Sequence, residues 1–218
     1  MSIKKNILTT TFCLLAAASV SNAQFGVKLG AGYANMSGSS DFEKVFDGGI
    51  IAPIVGVTYH LTLGPIGVKP ELLLEEKGAS GKYDDEDSTG KAIKVDANLH
   101  AWYIDAPILA SVSILPTLSI IAGPSIGYYI TGGIKDGSMD MNLNTFIDRI
   151  NAYSDSTESK AAINKLNIGL VAGVQFMLPI AGLGVDARYQ YGLTNVIDHL
   201  GSGDNTTNMA AVTLTYLF

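Results

Sequence analysis

Three stretches of this chain run for about the span of a membrane helix without an Asp, Glu, Lys or Arg, yet their composition rules a helix out. They are Gly48 to Val68, Ala106 to Ile134 and Leu166 to Val185. The second alone contains Pro107, Pro116, Pro124, Gly123, Gly127, Gly132 and Gly133. Proline removes a helix hydrogen bond and glycine adds conformational entropy, so a helix here would break repeatedly. Each stretch also divides at a short turn: Leu63-Gly64-Pro65, Leu115-Pro116-Thr117 and Pro179-Ile180-Ala181-Gly182. On either side of the turns, apolar residues alternate with small or polar ones, which is the period of a strand.

Strands this apolar on one face suit lipid. Lipid cannot hydrogen-bond a backbone N–H or C=O, so a spanning sheet must close on itself. The alternation predicts eight strands, roughly Phe25–Met36, Ile50–Leu63, Gly67–Ala79, Asn98–Ile114, Leu118–Ile134, Leu166–Leu178, Leu183–Ile197 and Met209–Phe218. The three short turns alternate with four long polar connections, Ser37–Gly49, Ser80–Ala97, Lys135–Lys165 and Asp198–Asn208. The expected fold is all-β: an eight-stranded antiparallel transmembrane barrel with short periplasmic turns and four long extracellular loops. The outward set includes Val27, Leu29, Val55, Val57, Leu72, Leu74, Ile104, Ile108, Ile120, Ile126, Leu170, Val174, Val185 and Leu214, and none is charged. Outward aromatics fall near strand ends. Tyr33, Trp102, Tyr128 and Tyr191 form one girdle, and Phe25, Tyr59, Phe176, Tyr216 and Phe218 the other.

The inward set holds Lys28, Lys69, Glu71, Glu75, Lys77, Asp105, Gln175, Asp186, Arg188 and Gln190. Eight strands enclose room only for side chains, so these charges must pair with one another. Lys28, Lys69 and Arg188 are the cations to match with Glu71, Glu75, Asp105 and Asp186. Inward glycines (Gly26, Gly30, Gly56, Gly123, Gly127 and Gly173) are expected to leave room for the long side chains.

The N-terminus reads as a secretory leader. Lys4 and Lys5 precede an uncharged apolar run from Ile7 to Val20, and Ser21-Asn22-Ala23 offers small residues for cleavage before Gln24. The expected division is a leader over 1–23 and a barrel over 24–218. The single cysteine, Cys13, lies in the leader, so the mature chain would have no disulfide or thiol chemistry. Losing Lys4 and Lys5 with no acid takes the formal charge from -6 to -8. That acidity argues against nucleic-acid binding, which needs a basic face.

The last residues, Asn208 to Phe218, put Ala210, Val212, Leu214, Tyr216 and Phe218 on one face and end the chain on an aromatic. This resembles the closing strand of an outer-membrane barrel, whose terminal aromatic is read by the assembly machinery. The resemblance gives Tyr216 and Phe218 the role of an assembly signal. Further strings carry a family resemblance. Y-I-D-A-P-I-L-A-S-V at Tyr103 to Val112 and I-A-G-P-S-I-G-Y-Y-I at Ile121 to Ile130 resemble paired central strands of the PorT-like outer-membrane β-barrel family. P-E-L-L-L-E-E-K-G at Pro70 to Gly78 and A-R-Y-Q-Y-G-L-T-N-V at Ala187 to Val196 resemble its third and seventh strands. The family is typical of Bacteroidota and is often labelled porin-like. It implies an eight-stranded barrel in outer-membrane lipid, with no shared activity.

No zinc spacing, phosphate loop or dinucleotide fingerprint is present, and no catalytic, cofactor or metal residue is assigned. Asp84-Asp85-Glu86-Asp87, with Asp96 nearby, is oxygen-rich like a calcium loop but lacks its spacing, so a solvated charge run is the plainer reading. His60, His100 and His199 are the only histidines. A hydrolase or acyltransferase would need one of them beside a serine such as Ser80 or Ser202, and no signature joins them. Asn142 to Tyr153 reads as a short amphipathic helix with Leu143, Phe146, Ile147 and Ile150 on one face. That face packs on the barrel mouth, docks a partner or serves as a lid over the lumen. Asp87-Ser88-Thr89 and Asp155-Ser156-Thr157 resemble O-glycosylation acceptors. The expected function is non-enzymatic, structural or interactive through the outer loops, toward a surface or periplasmic protein. The alternative is a narrow diffusion channel.

Overall fold

The computed structural model describes residues 23–37, 48–86, 92–136, 139–142, 145, 162–179, 182–198 and 205–218. The eight expected strands are present: β1 Ala23–Ser37, β2 Ile50–Leu63, β3 Ile66–Glu86, β4 Ala92–Leu115, β5 Leu118–Asp136, β6 Leu166–Met177, β7 Leu183–Gly192 and β8 Thr206–Leu217. Each pairs antiparallel with its neighbour in the chain. Pairing of β1 with β8, from Gly26 opposite Leu217 to Ser37 opposite Thr206, closes the barrel. Closure removes both sheet edges, which lipid could not satisfy.

The short turns follow from their residues. Leu63 stands opposite Ile66 across Gly64-Pro65, and Gly64 has a φ of 61°. A positive φ followed by proline is the II′ pattern, whose twist matches that of the flanking strands. Gly182, with a φ of 67°, serves the turn before β7. Ala23, the last residue of the expected leader, stands opposite Leu61 at the start of β1.

The faces divide as the alternation predicts. Leu29, Val55, Leu72, Ile104, Ile120, Ile126, Leu170, Val174 and Leu214 are exposed around the outside, and the ten inward polar residues are buried. The aromatics at the ends of the outward face are exposed as well, apart from a half-buried Trp102. Apolar residues fill part of the lumen. Ala34, Ile50, Ala52, Ile54, Leu73, Met209 and Ala211 pack where β1, β2, β3 and β8 meet. Leu109, Ile121 and Val171 form a second cluster opposite.

The connections differ more. Ser80–Ala97 is not one long loop. β3 and β4 stay in register until Glu86 faces Ala92. Past the bilayer a strand needs no apolar face, so the hydrophobic alternation fades while the ladder of hydrogen bonds continues. Asp84, Asp85, Glu86 and Asp96 therefore belong to strands, and Asp87 lies outside the described residues. β5 likewise runs on to Asp136 and is joined by a short strand, Met139–Asn142. Asn142 thus closes a strand instead of opening a helix. β7 stops at Gly192, short of the expected Ile197, because Ile197 and Asp198 pair with Ala162 and Ile163 in a separate two-residue ladder. Leu143, Phe146, Ile147, Ile150, His199, Ser202 and both glycosylation motifs lie outside the described residues.

Candidate functional site

The charged residues meet inside the barrel in three groups. The central one is a closed ring of four. Lys28 Nζ, from β1, lies 2.7 Å from Glu71 Oε1 of β3 and 2.7 Å from Asp186 Oδ2 of β7. Arg188, two residues beyond Asp186, donates through Nη1 to Glu71 Oε2 at 2.7 Å and through Nε to Asp186 Oδ1 at 2.9 Å. Its Nη2 reaches Thr213 Oγ1 on β8 at 3.4 Å. Each carboxylate thus contacts both cations, and the ring is electrically neutral. All four residues are buried. A lone charge in such a place would cost several kcal/mol, so the ring is stable only when complete.

The strands make this ring possible through close approach. Gly173 on β6 faces Arg188, and a Cβ there would lie 2.3 Å from Ala187 O and 2.8 Å from Arg188 Cα. Its role is to let two backbones come together, not only to spare lumen volume. Gly127 does make room as the sequence suggests: a Cβ there would sit 3.5 Å from Asp105 Oδ1 and 3.5 Å from the Tyr103 ring.

Toward the long-loop end lies the second group. Lys77 Nζ is 3.1 Å from Glu75 Oε1 and 3.2 Å from Asp105 Oδ2, and it donates to Asn167 Oδ1 at 2.9 Å. Gln190 Nε2 donates to Glu75 Oε2 at 3.3 Å. The ammonium also stands 5.2 Å from the centre of the Tyr103 ring, which packs edge-on against Tyr129. Two carboxylates here share one cation. Lys77, inward by parity, adds a fourth lumen cation to the three expected to pair. Its spacing of two from Glu75 carried that signal. Tyr103 shares its inward parity with Asp105 in the same way.

The third group lies near the short-turn end, and it corrects an expectation. Lys69 does not join a carboxylate. Its Nζ donates to Gln175 Oε1 across the lumen, and no ion pair of Lys69 is found among the described residues. The register explains this. Glu71 is drawn into the ring by Arg188, and Glu75 by Lys77, so neither remains for Lys69. His60 is buried in the lumen, as its inward parity in β2 predicts.

By parity on the outward side, His100 Nδ1 lies 2.6 Å from Glu76 Oε1. The sequence placed His100 at the start of the fourth strand; β4 begins earlier, at Ala92. Ser80 donates its hydroxyl to Gly49 O at 3.2 Å, so it is tied to loop backbone. No group of three His, Cys, Asp or Glu side chains suited to a metal ion occurs among the described residues.

The seam between the chain ends is also explicit. Phe218 N–H donates to Phe25 O at 2.8 Å. The Phe218 ring stacks on Phe25 with centroids 6.1 Å apart and meets Tyr216 edge-on at 5.2 Å.

Known structures share this architecture. Neisserial surface protein A (NspA) superposes with a TM-score of 0.50 at 13% identity, covering 90% of this chain and 99% of that one. Ail, the attachment invasion locus protein of Yersinia pestis, gives 0.43 at 13% identity over 90% and 99%. The outer membrane protein OprG from Pseudomonas aeruginosa gives 0.42 at 13% identity over 90% and 96%. No curated protein matches the chain. The model of the outer membrane protein beta-barrel domain family matches residues 16–198. With a closed eight-stranded barrel, an apolar outer surface and a charged, filled lumen, the chain belongs to the outer membrane protein beta-barrel domain family and resides in the outer membrane.

Proposed function

We propose that this protein is a sealed, non-enzymatic barrel that presents its outer segments to a protein partner at the cell surface. One observation carries the reading. The Lys28–Glu71–Arg188–Asp186 ring ties β1, β3 and β7 together across the lumen, with every charge answered inside the ring. A conduction path would have to break it. The length of the β3–β4 hairpin, paired out to Glu86 and Ala92, favours a role for the outer end. In this reading residues 1–23 are a cleaved leader, residues 24–218 are the barrel, and the chain falls in the PorT-like branch on the strings at Tyr103 to Val112 and Ile121 to Ile130. Tyr216 and Phe218 engage the assembly machinery. The face formed by Leu143, Phe146, Ile147 and Ile150 is part of the docking surface.

Catalysis is disfavoured because Ser80 gives its hydroxyl to Gly49 O, and no hydrogen bond joins it to His100 among the described residues. The narrow channel is the second reading. The porin-like character of the resemblance favours it, and the charged lumen gives it a lining. A photocrosslinking amino acid placed in living cells tests the main reading. Positions Tyr83 and Asn195, toward the outer end, should give protein adducts, and Gly64 in a short turn should not. Adducts from Gly64 alone would point to a periplasmic partner and overturn the surface assignment.

A further inference from the structure

We infer that the lumen holds one buried water molecule below its outer mouth, bound by Gln190, Asn208 and Asn167. A cavity of about 10 Å³ lies there, lined by these three residues with Lys77, Thr207 and Gly192. That volume matches a single water and little else. Its walls fix what the ligand must do. Gln190 gives its Nε2 to Glu75 Oε2 at 3.3 Å, which sets the amide's orientation and leaves Oε1 without a partner. Asn208 gives its Nδ2 to Ser37 Oγ at 2.9 Å and leaves Oδ1 without one. Both residues are 4% exposed. A carbonyl buried this deeply and left without a donor is costly, so the site calls for one. Asn167 has its Oδ1 bound by Lys77, and its Nδ2 reaches Thr207 Oγ1 only at 3.4 Å, so an amide hydrogen is available.

The site therefore needs a ligand that gives two hydrogen bonds, takes at least one, and fills one solvent sphere. Water does all three. A monovalent metal ion could satisfy the two carbonyls, but it could not accept a hydrogen bond, and the Lys77 ammonium on the same wall repels it. Lys77 offers no hydrogen bond to the cavity, since its contacts go to Glu75, Asp105 and Asn167.

The route to the site is also drawn. Tyr191 and Gly192 line the cavity on one side and an open cleft of about 330 Å³ on the other, shared with Asn164, Thr194 and Asn195. Water enters from this outer cleft, across the end of β7. From below, the four-residue ring stands in the way.

The test uses the full mature barrel in lipid nanodiscs with nitrogen-15 in its side-chain amides. A long-lived bound water gives a cross-relaxation peak to the Gln190 Nε2 hydrogens with the sign of a slowly tumbling partner. The peak should be present in the native chain and lost in Asn208→Leu. Exchanging choline chloride for sodium chloride should leave the Gln190 resonance where it is. No peak in the native chain overturns the inference. A sodium-dependent shift overturns it in favour of a cation, and a peak surviving in Asn208→Leu overturns the assigned partners. The two native-chain measurements decide the matter even if the variant does not fold.

Discussion

Arg188→Met is the most informative single change to the lumen. Methionine keeps much of the volume and removes the charge. Two ion-pair contacts of 2.7 and 2.9 Å and the 3.4 Å contact to Thr213 are lost, and Glu71 and Asp186 are left sharing Lys28 in a buried setting. Breaking a buried ion pair from one side costs about 3–5 kcal/mol, most of it from the stranded charge. Glu71→Gln added to Arg188→Met removes that stranded charge and leaves Lys28 and Asp186, 2.7 Å apart, as a neutral pair. The double variant should therefore lose less than the sum of the single losses, with a coupling of about 2 kcal/mol, inside the range seen for contacting residues. Urea unfolding of the refolded barrel in phospholipid vesicles supplies the energies. Trp102, the only tryptophan, half-buried on the outward face of β4, reports the transition. The slope with urea should be unchanged, because the surface exposed on unfolding is the same. Losses that simply add, to within about 0.5 kcal/mol, would refute the closed ring, since independent residues add to that accuracy.

The other expectations follow from single contacts. Lys69→Met should cost less than Lys28→Met in the same urea assay, because it gives up one amide partner and strands no carboxylate; Lys28→Met should cost about 3 kcal/mol or more. Gly173→Ala should destabilise by about 1–3 kcal/mol, as its Cβ would press on the backbone of β7, whereas Gly127→Ala meets only ordinary contacts and should change stability by under about 0.5 kcal/mol. Deleting Phe218 removes a backbone hydrogen bond to Phe25 and two ring contacts, about 1–3 kcal/mol together; Phe218→Leu keeps the hydrogen bond. Folded yield, read as the mobility change on heating in SDS, should fall further for the deletion than for the substitution.

How far the sequence carries depends on where lipid constrains it. Within the bilayer every second residue must be apolar, so β2 is legible to the residue, Ile50–Leu63, and the inward charges fall where parity puts them. Above the bilayer that constraint ends. The β3–β4 hairpin past Ser80 is held by backbone pairing that leaves no apolar period, and it read as loop. Parity also places a side chain on a face without giving its height along the barrel axis. Which of four carboxylates meets Lys69 depends on the stagger between strands, and the answer is none of them, because Arg188 and Lys77 lie closer to the same acids. The amides Gln175, Asn167 and Gln190 were missed as partners for the same reason: alternation marks them inward but does not say that Lys69, Lys77 and Glu75 lie level with them.

The central claim is that the ring and the apolar clusters close the lumen. Planar-bilayer recording of the purified, refolded barrel tests it most directly. The native chain should insert and give no single-channel steps, as should Asn208→Leu, whose change lies above the ring. Reproducible steps from the native chain, altered in size by Glu71→Ala or Arg188→Ala, would show that ions pass through the ring and that the barrel is a channel.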